Sequence, residues 1–347
     1  MMIFPNIPPV HMEASAAARQ RQNSLTKPLG SAGFLEDLSV QIAGMTGSAV
    51  PDCSRKAVIV MAADHGIAKE GVSPYPQEVT PQMVMNFLHG GAAINVLTRQ
   101  ANSAVVIVDI GVAHDFGPIP GIYHRKVARG TANMLNGPAM NRNEAESAIR
   151  VGMEIADETI DSGVQLLATG EMGIGNTTPS AAITAVLCGR TPAEVTGRGT
   201  GIDEAGLQKK IRIVERCIAA NQPDPKDAMD VLCKIGGLEI AGMAGVVIAA
   251  AARRIPVVLD GLISTAAAAI AVELVPETKN YLIGGHQSEE IGHRILLEKL
   301  GLRPLIQLNL RIGEGTGAAL AFHVIDASLN LLRDMATFEQ AGVSDKA

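Results

Sequence analysis

Two glycine-rich segments hold the residue types that could do chemistry. The first, Gly170-Glu171-Met172-Gly173-Ile174-Gly175-Asn176-Thr177-Thr178-Pro179, follows an apolar run and precedes a helix that Pro179 can open in its first turn. Its glycines let the backbone approach a ligand, and free amides with threonine hydroxyls suit a phosphate at a helix N-terminus. There is no Walker A pattern, and Thr178 stands where a GxGxxG fingerprint would have its third glycine. The segment fits nucleotide handling and equally an ordinary strand-to-helix turn. The second, Arg311-Ile312-Gly313-Glu314-Gly315-Thr316-Gly317, also leads into an apolar helix. Between two glycines Glu314 is poorly shielded, and partial burial would raise its pKa towards that of a general base. Its alternative role is to cap the helix that follows.

Three weaker constellations accompany them. Asp64-His65-Gly66, with Ser73-Pro74-Tyr75-Pro76-Gln77-Glu78-Val79-Thr80 downstream, offers acid–base or metal-binding groups. Neighbours at a strand end point to opposite sides, however, so a hydrogen-bonded turn is the simpler expectation. Thr80 reads as the N-cap of a helix opening at Pro81. His286 and His293 lack the i, i+4 spacing of zinc-binding helices, and no metal site is expected. Gly197-Arg198-Gly199-Thr200-Gly201-Ile202-Asp203, with Lys209 and Lys210 beyond it, is another glycine-rich helix entry whose lysines could reach an anion.

These segments need a scaffold, and the chain supplies alternating elements. Apolar runs at Ala57–Ala62, Val105–Val108, Val164–Ala168, Val257–Leu259 and Tyr281–Ile283 each finish in glycine with a polar residue, as buried parallel strands do. Helical patterns cover Pro81–Arg99, Arg142–Ser162, Pro179–Cys188, Glu204–Ala220, Leu238–Arg254, Ser288–Leu300 and Thr316–Leu332. The alternation predicts an α/β fold, a mainly parallel sheet flanked by helices in a Rossmann-like arrangement. Ligands bind such sheets at the carboxyl ends of the strands, where Asp64, Asp109, Glu171, Asp260 and His286 lie. Residues 1–50 instead read as a helical run, the turn Leu25–Ser31 and a helix from about Gly33. They are expected to join residues from about 316 to 347 in a small helical subdomain, leaving 51–315 as the large α/β domain.

Composition narrows the function classes. With 47% hydrophobic and 18% charged residues in 347, the chain can bury a sizeable core. The net charge of −6 is spread along the chain, so neither nucleic acid nor an anionic membrane is an expected partner. Aromatics are 3% with no Trp, which argues against a base-stacking platform; 36 glycines and many alanine runs suit close helix-on-sheet packing. Four scattered cysteines, Cys53, Cys188, Cys217 and Cys233, read as reduced thiols of a cytoplasmic protein. No signal peptide is read in MMIFPNIPPVHME, and the most apolar segment, Ile240–Ala252, is shorter than the ~20 residues a bilayer needs and reads as a buried helix.

Taken together, RQNSLTKPLGS (Arg21–Ser31), ADHGIAKEGVS (Ala63–Ser73), VDIGV (Val108–Val112), RGTANM (Arg129–Met134), GEMGIGNTT (Gly170–Thr178), GRGTGID (Gly197–Asp203), LDGLIS (Leu259–Ser264) and RIGEGTGAAL (Arg311–Leu320) resemble the nicotinate-nucleotide:dimethylbenzimidazole phosphoribosyltransferase family over nearly the whole chain. The resemblance implies transfer of 5-phosphoribose from nicotinate mononucleotide to the lower-ligand base of a cobamide. Nicotinate in the mononucleotide is already a cationic leaving group, so this chemistry calls for no metal and no cofactor. By the same resemblance Glu314 matches the general base, while Glu171 steers the proton or binds ribose hydroxyls. Gly173, Gly175, Asn176, Thr177 and Thr178 match the nucleotide site, with Gly201, Lys210, Gly261 and Ser264 around phosphate, ribose or nicotinate.

Tyr75, Met83 and Ile312 fall on the base pocket. Met83 cannot supply the hydrogen bonds of an amide, so the acceptor is 5,6-dimethylbenzimidazole, a plain benzimidazole, adenine or a phenol. The resemblance further implies an α/β domain with a small domain from both chain ends. It also implies a homodimer, or a heterodimer with a paralogue. A ligand-binding subunit supporting a catalytic paralogue is the second reading, and retention of Glu314, the Glu171 loop and Lys210 argues against it. The acidic pair of enzymes that use phosphoribosyl pyrophosphate is absent, which argues against that donor.

Overall fold

Continuous β-branched and small apolar runs suit strands that are paired on both edges and covered on both faces. The computed structural model describes residues 2–344. They build a seven-stranded parallel sheet: β1 (Lys56–Ala63), β2 (Ser103–Gly111), β3 (Ile122–His124), β4 (Leu166–Met172), β5 (Val257–Leu259), β6 (Leu282–His286) and β7 (Pro304–Ile306). The helices, in chain order, are α1 (Met12–Ser24), α2 (Phe34–Thr46), α3 (Val79–Leu88), α4 (Ala93–Gln100), α5 (Arg142–Asp161), α6 (Thr177–Cys188), α7 (Pro192–Val195), α8 (Glu204–Asn221), α9 (Ala228–Ile235), α10 (Leu238–Ala252), α11 (Leu262–Leu274), α12 (Ile291–Leu300), α13 (Thr316–Asp334) and α14 (Phe338–Ala341). The fold is the expected α/β class.

Strand order is β3-β2-β1-β4-β5-β6-β7, so the chain leaves β1 towards one edge and resumes at β4 towards the other. That reversal is a topological switch point, where the loops after two adjacent strands diverge and open a crevice. β1 is buried at every position and pairs with β2 on one side and β4 on the other. Alternation along β1 serves two helical layers. Val58 meets Gly315 at the head of α13, whereas Met61 meets Gly242 of α10. At the chain ends α1 and α2 pack on α13, with Ala18, Ala43 and Leu332 forming a small cluster beside the main core. Arg21 ties α1 to the end of α13 by donating to the Leu332 carbonyl at 2.5 Å. Residues 1 and 345–347 of the expected subdomain lie outside the described residues.

Five strands overlap the apolar runs, β4 continuing past Ala168 to Met172 and β6 past Ile283 to His286, and other differences have physical causes. β3 and β7 are three-residue edge strands, one with a single buried residue and one opening on Pro304, so neither carries an apolar run. The helix expected over Pro81–Arg99 is two, α3 and α4, interrupted at Gly90-Gly91, where Gly90 takes φ +75°. α11 went unforeseen because its first ten residues are all buried, leaving no amphipathic period to read. The helix expected from Ser288 starts at Ile291. Thr80 lies inside α3 rather than capping it. Its hydroxyl accepts the Ile174 N–H at 3.1 Å, tying α3 to the loop after β4. Among the described residues no helix is long and apolar enough to cross a membrane.

The abundance of glycine and alanine has its structural use where α5 crosses α10. A β-carbon on Gly152 would collide with the Gly242 carbonyl, and one on Gly245 with the Ile149 carbonyl, so the two helix backbones touch. Gly152→Ala should therefore destabilise the protein by about 1–3 kcal/mol through overpacking. This should hold despite the ~1 kcal/mol that alanine gains over glycine in an unhindered helix. A urea midpoint equal to or above that of the parent protein would show that the helices do not meet in this way.

Candidate active site

The last residues of β4 lead straight into the switch-point crevice. Gly170 is there because the opposing turn comes so close: a β-carbon on it would strike the carbonyl of Glu314. Glu171 follows, 7% exposed, its Oε2 accepting from the Asn176 side-chain amide and its Oε1 lying against Gly313. Burial pushes the Glu171 carboxyl up to about 8, helped by the charges of Asp260 and Glu239 and opposed by the Asn176 hydrogen bond. Beyond it Gly173 packs on the Ala63 carbonyl at the end of β1, and Gly175 takes φ +92° to start α6.

Across the crevice the turn before α13 has three successive left-handed residues, Gly313, Glu314 and Gly315, at φ +81°, +63° and +92°. Glu314 does not cap its own helix. Its Oε2 accepts the Ile94 N–H at 3.2 Å, at the start of α4. Burial raises its pKa above the usual carboxylate range, the charge of Asp260 adding to the effect and the Ile94 N–H opposing it. Asp260, directly after β5, accepts from the N–H groups of Gly315 (3.1 Å), Gly317 (2.7 Å) and Ala318 (3.2 Å).

A third group gathers at the N-terminus of α6. Lys210 of α8, 1% exposed, donates to Thr177 Oγ1 at 2.6 Å. Burial pushes its ammonium down to about 8 against the opposing attraction of Glu290. Glu290 in turn accepts the Gly199 N–H at 2.7 Å. A buried lysine, a threonine hydroxyl and a helix start are groups that can hold an anion.

One cavity of about 410 Å³ joins these groups. Of the residues singled out in the sequence, Glu171, Gly173, Asn176, Thr177, Gly261, Ser264, Tyr75, Met83, Ile312 and Glu314 line it. Gly175, Thr178 and Lys210 are buried behind the wall, with Lys210 reaching it through Thr177, whereas Gly201 is exposed beside Arg311. Asp260, His286, Ser288, Glu290 and Arg311 line the cavity too, and sequence reading gave none of them a role in it. A usable signal existed for the first two, which terminate apolar strands at the same edge of the sheet. A second cavity, about 510 Å³, lies around Met140, Cys233 and Leu238 and holds none of the candidate residues.

The remaining histidines and acids are tied structurally. Asp64 and His65 diverge as neighbours on a strand end should: Asp64 accepts the Ala113 N–H at 2.7 Å, and His65 Nε2 lies 2.7 Å from Glu239 Oε1. Burial disfavours the His65 cation, but the Glu239 carboxylate outweighs it and raises the ring's pKa. His293 Nδ1 accepts the Ser288 N–H and its Nε2 meets Thr265. Burial pushes that ring down to about 3. Among the described residues no group of three or more His, Cys, Asp or Glu is arranged to hold a metal ion.

Comparison with known proteins bears on what this cavity serves. A family model described as phosphoribosyltransferase matches residues 7–343. The nicotinate-nucleotide--dimethylbenzimidazole phosphoribosyltransferase of Chloroflexus aggregans is 57% identical over 98% of this chain and 97% of its own length. That of Geobacter sulfurreducens is 54% identical over 97% of this chain and 96% of its own. The crystal structure of CobT from Thermus thermophilus superposes with a TM-score of 0.93, at 47% identity, covering 96% of this chain and 100% of that one. With identity above one half across nearly the whole of both chains and a shared fold, the chain belongs to the nicotinate-nucleotide:dimethylbenzimidazole phosphoribosyltransferase family.

Proposed function

We propose that the protein transfers 5-phosphoribose from nicotinate mononucleotide to a cobamide lower-ligand base, 5,6-dimethylbenzimidazole or a related acceptor, giving an α-ribazole phosphate and nicotinate. The observation that carries this reading is the single cavity joining a buried carboxylate of raised pKa, an anion site and an apolar slot. The nucleotide phosphate sits at the head of α6, held by Thr177 and by Lys210 behind it. Phosphate charge favours the protonated lysine that burial alone disfavours. The acceptor base lies between Tyr75, Val79, Met83 and Ile312, which supply an apolar surface for a flat ring.

A ring nitrogen of the base attacks the anomeric carbon as the bond to nicotinate breaks, its electron pair returning to the nicotinate nitrogen. Attack from the opposite face inverts that carbon from β to α. Glu314 takes the proton from the second ring nitrogen. Its Oε2 is occupied by the Ile94 N–H, which leaves Oε1 for the proton. Glu171, largely protonated near neutrality, donates to a ribose hydroxyl. The reading extends to a homodimer, or a heterodimer with a paralogue, working in the cytoplasm, where four unpaired cysteines are at home. It extends also to residues 1–50 and 316–347 acting as one small subdomain, supported by the packing of α1 and α2 on α13.

The direct test is nicotinate release from nicotinate mononucleotide by the purified protein, with 5,6-dimethylbenzimidazole, benzimidazole, adenine, phenol and p-cresol supplied in turn and products identified by mass. Release that depends on one acceptor and yields its α-ribotide confirms the reaction and names the base. Binding without release for every acceptor makes the chain a non-catalytic subunit. Glu314→Gln should lose about 10²- to 10⁴-fold in turnover while still binding the mononucleotide. Near-normal turnover would sink the role of Glu314.

Because the pKa of Glu314 is raised, its basic form is lost at a higher pH than for an ordinary glutamate, at about 4.3. The acid limb of kcat/KM should therefore fall with an apparent pKa above that value. Lys210→Met should weaken nicotinate mononucleotide binding by about 10- to 10²-fold, the range for a lost charged hydrogen bond. Binding of nicotinate riboside, which has no phosphate, should be unchanged. Equal losses for both ligands would place the phosphate elsewhere.

A further inference from the structure

The turn that presents Glu314 is held by a residue distant from it in sequence. Three consecutive left-handed residues are unusual, and for Glu314, which carries a β-carbon, the conformation is strained. The sequence around it supplies no side-chain cap for α13, whose N-cap is Gly315. The missing cap is the Asp260 carboxylate. Its Oδ2 accepts from Gly315 and its Oδ1 from Gly317 and Ala318, so one side chain satisfies three N–H groups of the first turn.

Asp260 is itself fixed. It is 2% exposed, and its own N–H donates to Ser264 Oγ at 3.1 Å. His286 Nε2 lies 3.4 Å from Oδ1, and that ring packs so closely on Gly317 that a β-carbon there would collide with it. The Glu314 side chain is anchored on Ile94 and its carbonyl rests on Gly170. Thus the backbone C-terminal to Glu314 is set by Asp260, and the other two contacts set the rest.

We propose that Asp260 is the positioning residue for Glu314: by clamping the N–H groups of 315, 317 and 318 it holds the strained turn that aims the Glu314 carboxylate into the cavity. The inference rests on the reading of Glu314 as the proton acceptor. A clamp that acts only through Glu314 should matter only while Glu314 does its work.

Asp260→Asn keeps the shape but replaces one accepting oxygen with an amide that cannot accept. It should lower kcat by about 10²-fold, the scale of a misplacement near 1 Å, with the Kd for nicotinate mononucleotide unchanged within a factor of three or so. In a Glu314→Gln background the same substitution should cost no further activity. Losses that multiply in the double variant, a parallel loss of mononucleotide binding, or an Asp260→Asn protein of normal kcat would each overturn the proposal. If Asp260→Asn does not fold, Gly317→Ala tests the clamp from the helix side. Its β-carbon drives the His286 ring into Asp260, and it should show the same kcat loss and the same silence in the Glu314→Gln background. Glu314→Gln alone reports on the base assignment, so its normal turnover would fail that reading separately from the clamp.

Discussion

An ionised carboxylate taken out of water must be compensated, and this requirement organises the carboxyl edge of the sheet. Asp64, Glu171, Glu239, Asp260, Glu290 and Glu314 are all buried there. Asp64, Asp260, Glu290 and Glu314 are met by main-chain N–H groups, and Glu239 by the His65 ring. Glu171 has the Asn176 amide. The two whose pKa is raised, Glu171 and Glu314, have no cation among the groups that set it. Both lie at one turn: Glu171 Oε1 lies against Gly313, and Glu314 is the next residue.

The N–H groups that compensate these charges come largely from helix starts, which a parallel α/β fold directs to that edge. Glu314 is bound at the head of α4 and Asp260 at the head of α13. Bringing strand ends and helix starts this close leaves no room for side chains between them. That is why Gly170 stands in the middle of a strand, and why Gly313 and Gly315 flank an acid in the left-handed region. The glycine content noticed in the composition is, at this edge, a consequence of packing backbone against backbone around buried charge.

Much of this was legible in the residues. β1, β2, β4, β5 and β6 are continuous apolar runs, and their glycine and polar ends mark the edge where the cavity lies. Glu314 could be read either as base or as cap because both roles need a carboxylate at a helix start. The structure shows it at one, but of α4 rather than α13. Contacts between distant segments were not legible. No local signal in LDGLIS says that Asp260 caps a helix 55 residues on, since the partners are main-chain amides that any sequence offers. α11, buried on every side of its first ten residues, lost its period for the same reason that it is central. Spacing could not separate Lys210 from Lys209 as the lysine that reaches an anion, and only the fold buries Lys210 beside Thr177.

The cavity that results is electrically lopsided. Thr177 at the head of α6, with Lys210 behind it, supplies donors on one wall, and Glu314 supplies an acceptor on the turn across the crevice. Nicotinate mononucleotide is polarised in the same sense, with its phosphate negative and its pyridinium positive. On the proposed reaction that positive charge passes from the pyridinium through the anomeric carbon to the acceptor base. A low-dielectric site with fixed dipoles stabilises such a moving charge without reorganising. Only the final proton transfer to Glu314 removes it. On that reading the acid that receives the proton must have a raised pKa and yet be held still; burial raises the pKa of Glu314, and the Ile94 N–H holds its Oε2.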